Sequence, residues 1–112
     1  MPLNINGTTG ISGVDGSASA PALQGSDSNT GVSFGTDTVN INTGGSTRAT
    51  VDSAGRLLLG TTTEGHANAD DFTVSSSGVT GLTIRSGTSN LGNIYFSDAT
   101  SGDGEYRGIV QY

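Results

Sequence analysis

Between Thr38 and Thr61 the chain reads TVNINTGGSTRATVDSAGRLLLGT, and the period of this stretch limits the fold more than any other feature of the sequence. Val39 and Ile41 alternate with Thr38, Asn40 and Asn42. Ala49 and Val51 alternate with Arg48 and Thr50, and Leu57 and Leu59 repeat the pattern after Arg56. A spacing of two places apolar side chains on one face of an extended strand and polar ones on the other. Gly44-Gly45 supplies two residues free to take positive φ, as a tight hairpin requires. Asp52-Ser53-Ala54-Gly55 predicts a type I turn, with Asp at its favoured first position and a left-handed glycine at its end. The stretch therefore predicts a three-stranded antiparallel meander with an apolar face and a solvent-facing polar one. Leu58 breaks the pattern: it is apolar on the face expected to be wet, and is predicted to pack against a neighbouring chain.

The rest of the sequence extends the same alternation. Leu3 and Ile5, a Gly-Thr-Thr-Gly turn and Ile11 predict a short hairpin within residues 3–14. Residues 12–31 are turn-rich, with Pro21 holding Ala20 extended, and read either as a linker or as a segment that orders on docking to another protein. Val32 and Phe34 alternate into the meander. The polar run TTTEGHANADD, residues 61–71, has no period and bridges two modules. Phe72 and Val74, the turn Ser76-Ser77-Gly78, and Leu82 and Ile84 predict a second hairpin. Ile94 and Phe96 follow, and Tyr106, Val110 and Tyr112 are expected to share one face of a last strand. Strands and turns recurring about every 8–12 residues specify an all-β chain, with no helix expected.

Composition narrows the function. Gly, Thr and Ser account for 50 of the 112 residues, whereas Leu, Ile, Val and Phe together number 23. So sparse a set of large apolar side chains lies near the level at which chains remain disordered. Only 12% of the residues are charged, however, and the apolar ones are patterned, so charge-driven disorder does not fit. The expectation is a chain whose copies share an interior. With no cysteine, neither a disulfide nor a thiolate metal site can contribute. The net charge of -6, without a single lysine, argues against nucleic-acid or acidic-membrane binding. No apolar run approaches the roughly 18 residues of a membrane-spanning helix.

Candidate chemistry is thin. His66 has Glu64, Asp70 and Asp71 nearby, but one imidazole in an acidic loop falls short of a zinc or two-metal motif, and it reads as a solvated loop histidine. Asp98, Asp103 and Glu105 match neither the EF-hand loop nor the glycine-rich calcium repeat, and read as an acidic turn. No G-x-S-x-G elbow supports a nucleophilic serine. No catalytic residue, metal site or cofactor is expected. Tyr95, Tyr106 and Tyr112 read as packing residues of the last two strands rather than as a sugar-stacking surface. Arg56 follows a turn opened by Asp52, so an ion pair across that hairpin, within or between chains, is expected.

Taken in order, PALQGSDSNTG (Pro21 to Gly31), VNINTGG, TRATVDSAGRLLLGTT and GLTIRSGTSNLGNIYFSDATSGDGEYRGIVQY (Gly81 to Tyr112) resemble segments of bacteriophage tail-fibre proteins, especially those of marine cyanophages. The resemblance covers about three quarters of the chain. It implies an elongated homotrimeric fibre of intertwined β modules, catalytically empty, made in the host cytoplasm and carried on the virion. Residues 1–31 would anchor it to another virion protein in the tail, baseplate or an adaptor. Residues 32–63 would form the first shaft module, 64–71 a linker and 72–112 a second module, with distal parts meeting the host cell surface. The trimer core would contain Val39, Ile41, Val51, Leu57, Leu58, Leu59, Leu82, Ile84, Ile94 and Phe96. The alternation still running at Tyr112 leads to the expectation that this is the N-terminal piece of a longer fibre, Met1 being a true start. Two further readings share the design: the front of a tailspike whose polysaccharide-degrading domain lies beyond Tyr112, and a trimeric surface adhesin or decoration protein, the adhesin disfavoured by the absence of a signal peptide.

Overall fold

The alternating stretches become strands. The computed structural model describes residues 3–8 and 10–112, and it is all-β. Contacts divide the chain into two compact units, residues 1–80 and 81–112.

The first unit opens with a hairpin of β1 (Asn4–Asn6) and β2 (Gly10–Ser12), in which Ile5 faces Ile11. A six-stranded sheet follows in strict chain order: β3 (Leu23–Gln24), β4 (Gly31–Gly35), β5 (Thr38–Thr43), β6 (Ser46–Val51), β7 (Leu57–Leu59) and β8 (Phe72–Val74). The first five strands are antiparallel neighbours, and β8 lies parallel to β7. The predicted meander is thus present as β5–β7. Gly44 and Gly45 both take positive φ (57° and 74°), and so does Gly55 (83°) at the end of the Asp52 turn. The Gly55 N–H donates to the Asp52 carbonyl at 2.9 Å.

One residue of β6 departs from simple alternation. Asn42 pairs with Thr47 while Ile41 pairs with Ala49, leaving Arg48 as the extra residue of a β-bulge. The bulge moves Thr47 to the same face as Asn42, and its hydroxyl donates to Asn42 Oδ1 at 2.9 Å. Strict alternation would have put Thr47 on the apolar side with Ala49.

The hairpin expected between residues 72–74 and 82–84 is not formed. Phe72–Val74 pairs with β7, and residues 78–92 contain no strand. A parallel pair needs a crossover, here residues 60–71, so the run read as a bridge between modules instead closes the first unit. Gly60 makes this possible: it has a φ of 75°, and a Cβ there would collide with the Ser75 carbonyl oxygen.

The second unit is a hairpin of β9 (Asn93–Phe96) and β10 (Gly108–Gln111), with Ile94 facing Val110 and Tyr95 facing Ile109. Backbone bonds in both directions between Gly92 and Tyr112 (3.3 and 3.2 Å) extend it. Tyr106 is not on the last strand as expected but ends a short 3-10 helix, Gly102–Tyr106, that connects the two strands. Three glycines in seven residues, Gly102, Gly104 and Gly108, let the chain coil there before it re-enters the sheet.

Candidate interaction surface

The register of the six-stranded sheet assembles its side chains into rows. One row runs Phe34, Val39, Val51, Leu57, Phe72. The next runs Leu23, Val32, Ile41, Ala49, Leu59, Val74. Every residue in both rows is apolar, and the face they make is open. Ile41, at its centre, is 53% exposed; Val39, Val51, Leu57, Leu59 and Phe72 are exposed with it. Leu3, Ile11 and Val14 of the N-terminal hairpin join Leu23 and Phe34 around an apolar hollow of about 80 Å³, which continues this surface past β3.

The opposite face carries Ser33, Asn40, Thr50, Leu58 and Thr73 in one row, with Asn42 and Thr47 beside it. This is the enclosed face. Asn42 is 0% exposed, Ser33 and Thr50 are buried, and Leu58 is 1% exposed. Asn42 Nδ2 donates to Ser33 Oγ (2.8 Å), and Thr50 Oγ1 donates to Asn40 Oδ1 (2.8 Å). Among the described residues no buried side-chain nitrogen or oxygen lacks a partner, which is what makes a polar interior tolerable. The polar face was expected to be wet and Leu58 to reach a neighbouring chain; the structure reverses both. The crossover returns over this face, with the Gly65 N–H donating to Thr73 Oγ1 at 2.9 Å beside Leu58. Its backbone and short polar side chains match a polar sheet surface better than an apolar one.

An ion cluster fixes the edge of that cover. Arg56 Nε meets Asp52 at 2.7 Å, and Arg56 Nη1 meets Asp70 at 3.0 Å and Glu64 at 3.5 Å. The expected pair with Asp52 is therefore present within the chain and joined by two carboxylates of the crossover. Asp52 also accepts the Arg56 backbone N–H (3.0 Å). That bond, followed by the guanidinium bond, outweighs desolvation and holds the Asp52 carboxyl below its ordinary value. The bonds to Asp52 and Asp70 raise Arg56 further still.

The remaining candidates are dispersed. In the second unit Ile84 and Ile94 join Val110 and Tyr112 around an apolar hollow of about 220 Å³. Leu82 and Phe96 are exposed outside it. Tyr95 and Tyr106 rest against each other with ring centroids 6.4 Å apart at 53°, whereas Tyr112 is 98% exposed. His66 closes its own loop, its Nδ1 accepting from the Asn68 N–H at 3.2 Å. Asp103 accepts the Tyr106 hydroxyl at 3.0 Å, and Asp98 meets Arg107 at 3.7 Å on the surface. Among the described residues no group of three or more His, Cys, Asp or Glu side chains could hold a metal ion.

Of the residues expected at a shared core, Val39, Ile41, Val51, Leu57 and Leu59 come together on one open face. Leu58 lies on the other side of the sheet. The sequence reading missed Leu23 as a member and placed Phe72 and Val74 in a different module, because parallel pairing across a twelve-residue crossover leaves no local signature. No family model, curated protein or solved structure matches the chain.

Proposed function

We propose that the chain is a structural component of a phage tail fibre of the marine cyanophage type, in which the open apolar face of the six-stranded sheet is the shared core of a homotrimer. The observation that carries this reading is the pair of uninterrupted apolar rows centred on Ile41, left bare while the chain spends its own loops on the polar side. A contiguous apolar face running across six strands is the kind of patch that marks an interaction site, and covering it with copies of itself buries it without a further partner. The second unit contributes Ile84 and Ile94 in the same manner. Residues 1–31 attach to another virion protein, distal parts of the fibre meet the host surface, and the role is mechanical rather than catalytic.

Sedimentation equilibrium across a wide range of concentrations tests the assembly. The expected species has three times the mass of one chain and gives way to separated chains only at the lowest concentrations; a monomer at every concentration overturns the shared core. Immunogold labelling of intact particles against residues 12–31 tests the rest, with label expected at the tail and none if the chain is not a virion protein.

A further inference from the structure

The attachments of the crossover are unevenly distributed. After Gly60, whose N–H still bonds to the Arg48 carbonyl in the body of the sheet at 2.8 Å, the chain leaves the sheet and residues 62–69 are exposed. Several bonds in this stretch are internal, such as Thr63 N–H to Thr61 Oγ1 and Ala69 N–H to the His66 carbonyl. They shape the loop without tying it down. What ties it down is the bond from Gly65 to Thr73, itself on β8, and the two carboxylates Glu64 and Asp70 on Arg56. Strand β8 adds only three parallel pairs, flanked by Leu57 N–H to the Asp71 carbonyl (2.8 Å) and Ser75 N–H to the Leu59 carbonyl (2.9 Å). Three parallel pairs are a weak ladder, and Phe72 lies half-exposed on the open face. Arg56, by contrast, is anchored to the body of the sheet through Asp52 and the turn that joins β6 to β7.

We propose that residues 61–75 form a releasable strap, latched by the Arg56 guanidinium through Asp70 and Glu64, which opens as a unit while β4–β7 remain folded. Opening does two things at once. It uncovers Leu58 on the enclosed face, and it leaves Leu57–Leu59 as an unpaired edge able to accept a strand. The sheet then has two endings, one closed by its own β8 and one open at β7. The inference concerns a single chain and holds whatever the assembly state.

Hydrogen exchange of the full chain, followed by mass spectrometry at neutral pH, tests the latch. In Arg56→Met, amides in residues 57–75 are expected to exchange about tenfold faster, with residues 31–51 unchanged. Arg56→Lys, which keeps a charge but loses the forked geometry, is expected to fall between the two. Asp70→Asn and Glu64→Gln each remove one arm and leave the Asp52 turn intact, so they report on the latch even if Arg56→Met fails to fold. Both are expected to accelerate the strap alone, Asp70→Asn the more. Equal acceleration of residues 31–51 in these two variants overturns the proposal, since the strap would then not be a separate unit. No change in residues 61–75 overturns it as well.

Discussion

The two faces of the six-stranded sheet invert the usual arrangement, in which apolar side chains go inward and polar ones meet water. On one side Asn42, Ser33 and Thr50 are buried with their hydrogen bonds satisfied, Asn42 by Ser33 and Thr47, and Thr50 by Asn40. On the other, Ile41 and its neighbours are open. The difference follows from what each face has to pack against. The chain's own covering segments are short on large apolar residues and rich in Gly, Ser, Thr and Asn, so they cover best a surface that can hydrogen-bond. The apolar rows have no counterpart in those segments. Polarity therefore does not report here which face is wet; it reports which face the chain can cover by itself.

The sharpest way to break this comparison is at Leu58, the one large apolar side chain fully enclosed among the described residues. If the polar face is the true interior of a single chain, Leu58→Ala should cost about 2 to 5 kcal/mol, the range for large-to-small changes in a packed interior. Leu57→Ala and Leu59→Ala, next to it in sequence but on the open face, should cost far less in the separated chain. Urea unfolding of dilute protein measures all three. Equal effects would mean that the crossover does not close over Leu58.

Asn42 comes next in size. Its amide joins Ser33 to Thr47 in a site with no access to water. Asn42→Ala leaves Ser33 Oγ without its donor and Thr47 Oγ1 without its acceptor, a loss of about 1 to 3 kcal/mol. The same urea midpoint reads it. An unchanged midpoint would show that water already reaches this network and that the face is less closed than Asn42 suggests.

How much of this was legible in the sequence depends on range. The meander from Thr38 to Leu59 was readable because alternation, the Gly44-Gly45 hairpin and the Asp52 turn are all local, and each agreed with the others. The six apolar residues expected on one side of it, Val39, Ile41, Ala49, Val51, Leu57 and Leu59, do share a face. The bulge at Arg48 was hidden, since an extra residue is visible only against a partner strand. Two further errors have one physical source. The parallel strand at Phe72 and the burial of Leu58 beside Thr73 depend on where residues 60–71 travel, and a polar run without period specifies no path. Periodicity identified the two faces correctly, while the choice of which face to enclose lay in irregular segments that carry no such signal. In the second unit Ile94 and Phe96 were placed on a strand, but Leu82 and Ile84 were not stranded at all. Two apolar residues at a spacing of two, even with the Ser76-Ser77-Gly78 turn before them, are too short a pattern to decide.

The smallest expected effect on folding sharpens the comparison most. Ile41 lies at the centre of the open face, and Ile41→Thr keeps the β-branched shape that suits an extended backbone while replacing an apolar tip with a hydroxyl. Because that side chain is half in water in the separated chain, the change should alter the unfolding free energy of dilute protein, read by urea, by no more than about 0.5 kcal/mol, as for most surface substitutions. In the proposed trimer the same hydroxyl would be buried against other copies without a partner, and the association should weaken by about 1 to 3 kcal/mol per chain. Sedimentation of the variant and wild type side by side separates the two quantities. A variant that folds as before but dissociates at higher concentration places Ile41 in the shared core. A variant that loses stability as a monomer instead would mean that the open face is covered within the chain after all, and the contrast between the two faces would fall with it.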